Sequence, residues 1–74
     1  MTDNVAHIIE EGLDTDTMHR YVVFEFDPPW LGQRTKRLDF SGMTDDGLPT
    51  VMTDERIRSA YERHLRRIGY RLAE

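Results

Sequence analysis

Residues 20–27 read Arg20-Tyr21-Val22-Val23-Phe24-Glu25-Phe26-Asp27, with Pro28 and Pro29 directly after. Val22, Phe24 and Phe26 alternate with Tyr21, Val23, Glu25 and Asp27 in a run rich in aromatic and β-branched residues. Alternation with a period of two is the pattern of a strand with one buried face. The prolines cannot donate to a ladder, so they stop the strand in this reading. Lys36 to Ser41 reads as a second, shorter strand, with Leu38 and Phe40 on one side and Arg37 and Asp39 on the other. Paired as an antiparallel hairpin around Pro28 to Thr35, the two strands present Val22, Phe24, Phe26, Leu38 and Phe40 on a single face. Glu25, Asp27, Arg37 and Asp39 share the opposite face, where charges pair across strands.

A two-stranded ribbon is not stable alone, so the apolar face needs a cover. Thr53 to Glu74 supplies it, read as one amphipathic helix. At 100° per residue, Ile57, Leu65, Ile68 and Leu72 fall within about 40° of Tyr61. Thr53 is the expected N-cap, and Asp54 and Glu55 lie in the first turn, where the helix dipole favours acids. Gly69 then sits inside the helix at a cost of roughly 1 kcal/mol relative to alanine.

The first segment is ambiguous. Asp3 to Glu11 reads as a short helix with Val5, Ile8 and Ile9 inward and Gly12 as the residue just past its end. It also reads as a strand with Val5, His7 and Ile9 on one side, and Leu13 to Thr17 as the turn of a first hairpin. The helix is the favoured reading. Residues 42–52 are turn-rich and read as a loop. The expected fold is therefore α+β: a small antiparallel sheet of two or three strands packed against a C-terminal amphipathic helix, with a short N-terminal helix.

Seventy-four residues make one small domain that buries only about 60% of its unfolded surface. The chain starts at Met1 and reads as a complete short reading frame. It has no cysteine, which excludes disulfides and cysteine-ligated zinc. No apolar run reaches the roughly 18 residues that a membrane span needs, and nothing at the N-terminus reads as a signal peptide. A cytoplasmic protein is expected, with no membrane role. Net charge is −4, unevenly divided. Residues 1–46 hold ten acids against four bases, whereas residues 47–74 hold four acids against six arginines. Such asymmetry either pairs internally or serves partners.

Four candidate sites follow. On the predicted helix, Arg56, Arg63, Arg66, Arg67 and Tyr70 lie opposite the apolar stripe. They suit an acidic protein surface, because arginine and tyrosine dominate binding hot spots. They also suit phosphates, with Tyr70 stacking on a base. As plain structure they are a solvated face, partly neutralised by Glu62 and the acidic half. At the hairpin loop, Trp30 and Leu31 form an aromatic anchor at a rigid tip, or Trp30 folds back as the lid of a small core. Glu10, Glu11, Asp14 and Asp16 form an acidic group able to mimic nucleic-acid phosphates, or simply to aid solubility; Asp45 and Asp46 form a second. Asp14-Thr15-Asp16 hints at calcium, but the glycine and distal glutamate of an EF-hand loop are missing. His7 precedes Glu10 and Glu11 at metal-compatible spacing only if that segment is helical. His64 lies at the edge of the apolar stripe. No catalytic motif stands out, and no cofactor or metal is expected.

The expected function is non-enzymatic: a small acidic accessory or inhibitory factor that docks on a larger protein. Small size, acidity and the lack of enzymatic motifs fit a phage or mobile element and action on host defence or nucleic-acid machinery. The alternative is a nucleic-acid-binding protein that uses the arginine face. A homodimer is compatible with either, because a thin sheet leaves edges and one face poorly covered.

Overall fold

The computed structural model describes residues 3–73. In chain order the elements are β1 (Val5–Asp14), β2 (His19–Trp30), β3 (Gln33–Phe40), β4 (Gly42–Met43), β5 (Pro49–Thr50), α1 (Asp54–Ile68) and β6 (Arg71–Leu72). The expected fold needs correction. The sheet is four-stranded and mixed, in the order β3-β2-β1-β6, and β4 and β5 form a separate two-stranded ribbon. The chain is mostly β with one C-terminal helix.

The largest departure is the N-terminal segment, which is strand and not helix. Strand β1 pairs antiparallel with β2 from Val5↔Asp27 to Asp14↔His19. Its inward residues are Ala6, fully buried, and Ile8, half-buried. Val5 and His7 lie on the other face, opposite Asp27 and Glu25. An alanine at the central inward position gives a weak apolar signal, and a bulge then shifts the alternation. The register slips between Ile8 and Glu10, leaving Ile9 as the extra residue.

Strand β2 buries Val22, Phe24 and Phe26 and runs on through both prolines to Trp30. Pairing with β3 jumps from Glu25↔Thr35 to Trp30↔Gln33. The prolines occupy this irregular stretch, where no regular ladder bond is required of them. The hairpin closes at Leu31 and Gly32, both at positive φ (51° and 79°). Two such residues make a tight turn whose twist matches the flanking strands.

Helix α1 begins as read, with Thr53 Oγ1 accepting from the Arg56 N–H at 3.2 Å. It ends at Ile68, not near Glu74, which lies outside the described residues. Gly69 adopts φ 85°, and its N–H donates to the Arg66 carbonyl. The Tyr70 N–H donates to the Leu65 carbonyl at 2.9 Å. This pair of bonds is the glycine-terminated helix end, with Tyr70 and Leu65 as its apolar contact. Leu72, expected on the helix stripe, therefore lies in β6, which pairs parallel with Val5 and Ala6. The Arg71 N–H donates to the Asn4 carbonyl at 2.9 Å, and the Ala73 N–H to that of Ala6 at 2.8 Å.

The core lies between α1 and one sheet face. Ala6, Val22, Phe24, Phe26, Ile57, Tyr61, Leu65 and Tyr70 are buried, with Leu38, Phe40 and Ile68 packed against them. Phe24 meets Tyr61 edge-on at 5.6 Å between ring centroids. Among the described residues the opposite sheet face carries no helix, and β1 is paired by β6 only at Val5 and Ala6. From Ile8 to Asp14 its outer edge is open among the described residues.

Candidate binding surfaces

Arg20 positions α1. From β2 its guanidinium donates to the Met52 carbonyl at 3.2 Å and pairs with Asp54 in the first helical turn. The apolar stripe then points at the sheet, which turns Arg56, Arg63 and Arg67 outward. Spaced seven and four apart, these three share one line within about 20° over about 16 Å. Arg66 lies about 80° to one side. All four are exposed. None forms a salt bridge with a described residue, whereas Arg58 pairs with Glu62 at 3.0 Å and Arg71 with Asp3 at 2.9 Å. Among the described residues no direct ion pair neutralises these four side chains, although Glu55 and Glu62 lie nearby. Beside the row runs a shallow groove of about 490 Å³, lined by Met52, Thr53, Glu55, Ser59 and Ala60 together with Arg56 and Arg63.

Tyr70 does not belong to this face. The left-handed Gly69 swings it inward, where it is buried. Its hydroxyl donates to the Pro28 carbonyl at 2.6 Å, and its ring lies 5.0 Å from that of Phe26. Trp30 is likewise a lid and not a free anchor. Its ring is half-buried, 5.8 Å from Phe26 and edge-on to His64 at 6.2 Å. The Lys36 ammonium sits 4.6 Å over it. Leu31 alone stays out at the turn, 82% exposed. Burial holds the His64 pKa below its ordinary 6.5, and the nearby Lys36 and Arg67 push it the same way. Its Nε2 is buried without a hydrogen-bond partner among the described residues.

The acids expected to act together are divided by the strand. Register puts Glu10 opposite Val23 on the uncovered face and Glu11 opposite Val22 on the helix side. Asp14 is half-buried and lies 3.5 Å from Arg37, which also pairs with Asp39 at 2.9 Å. Asp16 is exposed in the β1–β2 turn, its N–H donating to the Asp14 carboxylate. Arg37 stacks 4.3 Å over the Tyr21 ring, and the neighbouring Glu10 carboxylate raises the Tyr21 pKa. A Cβ on Gly12 would stand 2.8 Å from the Tyr21 hydroxyl, so any larger residue there would push the ring aside. Of this Tyr21–Arg37–Asp39–Asp14 group, the sequence placed Arg37 and Asp39 together on one face but missed Asp14 and the joining of the four. The signal was the pairing of β1 with β2, hidden once residues 3–11 read as helix. With His7 on a strand, its spacing to Glu10 and Glu11 no longer places the three together. Among the described residues no three His, Cys, Asp or Glu side chains converge as for a metal.

No described helix is long and apolar enough to cross a membrane. Comparison of the chain with known families, curated proteins and solved structures finds no match.

Proposed function

We propose that this chain is a non-enzymatic binding factor that docks on an acidic surface of a larger protein through the arginine row of α1. One observation carries the reading: Arg56, Arg63, Arg66 and Arg67 stand exposed without salt bridges to described residues in a chain that has acids in excess. Exposed guanidiniums beside a groove with the apolar Met52 and Ala60 suit carboxylates flanked by aliphatic side chains. The outcome for a target is occlusion or recruitment, as in an accessory or inhibitory factor of phage or mobile-element origin.

The nucleic-acid alternative is weaker on one count. Its stacking residue, Tyr70, is buried, and Trp30 is held between Lys36 and His64. The row lacks the aromatic platform on which single-stranded bases stack. Net charge −4 also repels a polyanion at a distance.

The test replaces Arg56, Arg63, Arg66 and Arg67 with glutamine. Capture of a protein from the native host should be lost, with folding intact by circular dichroism. Reversal of Glu10, Glu11, Asp14 and Asp16 to lysine should leave capture in place. Tight binding of a DNA or RNA duplex at about 150 mM salt, lost with the arginines, would establish the alternative instead.

A further inference from the structure

Strand β1 carries main-chain groups that no described strand takes up. The Asn4 and Ala6 carbonyls point outward and accept from the Arg71 and Ala73 N–H groups. The Asp14 carbonyl points the other way and accepts from the Met18 N–H in the turn. Main-chain groups alternate in direction along a strand, and the extra residue at Ile9 shifts the count by one. Ile8, Glu11 and Leu13 therefore present their N–H and C=O groups to the open edge. Register puts the Glu11 and Leu13 side chains on the helix side, opposite Val22 and Arg20. Glu10 and Gly12 lie on the uncovered side, opposite Val23 and Tyr21. Ile9 and Leu13 are 54% and 42% exposed. From residue 8 to residue 16 the acids are Glu10, Glu11, Asp14 and Asp16, and there is no base.

We propose that this edge takes up a short extended segment of another protein, rich in basic and aliphatic residues, as an added strand beside β1. Main-chain bonds to Ile8, Glu11 and Leu13 hold it. An added strand sends successive side chains to opposite faces. It thereby reaches both glutamates although they lie on different faces, with basic residues beside Glu10 and Glu11 and aliphatic ones beside Ile9 and Leu13. The same charges decide against a second copy as the occupant. A two-fold pairing of this stretch with itself sets acids against acids with no base among them. Edge carboxylates of this kind keep like chains apart. To a basic strand they are an attraction instead. The bulge confines the regular ladder to the residues after Ile9, which suits a peptide arm and not a broad interface. The edge shares no residue with the arginine row, so it stands independently of docking through α1.

Amide exchange of the full chain, titrated with capped peptides of about eight residues, tests this at about 150 mM salt and up to about 2 mM peptide. A peptide that alternates lysine with valine should bind at one site and slow exchange of the Glu11 and Leu13 N–H groups by about threefold or more. Its twin with glutamate for lysine should not. Nor should the lysine peptide methylated on every internal amide nitrogen, which keeps its charge but cannot donate to a ladder. Glu10→Lys with Glu11→Lys should weaken binding by about tenfold. Leu13→Pro deletes one outward N–H, leaves the bonds to β2 in place, and should weaken binding likewise. If either variant fails to fold by circular dichroism, the three peptides decide alone. Binding of the lysine peptide without slower exchange at Glu11 and Leu13, equal binding of the glutamate or methylated peptide, or no binding at all would overturn the proposal. Protection of the same amides that grows with protein concentration alone would seat a second copy there and overturn it too. No arginine of α1 enters the measurement, so failure here leaves the docking reading standing.

Discussion

Phe24 is fully buried between the sheet and Tyr61. Truncation to alanine removes a ring from the centre of a core built largely of aromatic side chains, at a cost of about 3–5 kcal/mol. That is a large part of the stability of a domain this size, and chemical denaturation will read it directly. His64 makes a sharper residue-scale prediction. Its folded pKa lies below 6.5 because the ring is desolvated and faces Lys36 and Arg67. The unfolded chain binds the proton more readily. Stability is therefore full above pH 6.5 and falls as pH drops towards the folded pKa. His64→Phe should remove that part of the pH dependence. Denaturation midpoints at pH 7.5 and 5.0 for the two proteins check it. An unchanged pH slope would place the cause elsewhere.

At the scale of elements, Gly69 decides where the helix ends. Gly69→Ala forces a side chain into φ 85° at a cost of about 1–2 kcal/mol and should loosen β6 more than α1. Amide exchange would show the Arg71 and Ala73 N–H groups losing protection first. Much of the architecture was legible where apolar residues were large. The alternation of Val22, Phe24 and Phe26 marked β2, and the Ile57, Tyr61 and Leu65 stripe with the Thr53 cap marked α1. What escaped was carried by small residues and by coincidence of period. Ala6 fills an inward strand position almost invisibly, and the bulge at Ile9 breaks the count that would have exposed β1. Leu72 happens to continue the helical phase, so Gly69 read as a costly interior residue when it is the stop. The same misreading put Tyr70 among the arginines.

For the whole molecule, the charge asymmetry in the sequence becomes a division between surfaces. The uncovered sheet face holds the Arg37 network, with Asp14 and Asp39, while the outer side of α1 holds arginines without salt bridges to described residues. Arg56, Arg63, Arg66 and Arg67 were legible as a group because they depend only on helical phase. Trp30 was not legible as a lid, because that depends on Lys36 and His64 from two other elements. If the row serves binding and not folding, Arg56→Gln with Arg63→Gln should shift stability by no more than about 0.5 kcal/mol. A loss of several times that would mean that the row supports the fold.

Parallel pairing of β6 with the start of β1 has a consequence for how the protein is made. The Arg71 N–H bonds the Asn4 carbonyl, so every residue from 4 to 71 must exist before that bond can form. Until residues 70–73 have emerged from the ribosome, the nascent chain can zip its first hairpins but cannot seat Tyr70 or complete the fourth strand. Until then the apolar face of the first two hairpins is open to chaperones and proteases.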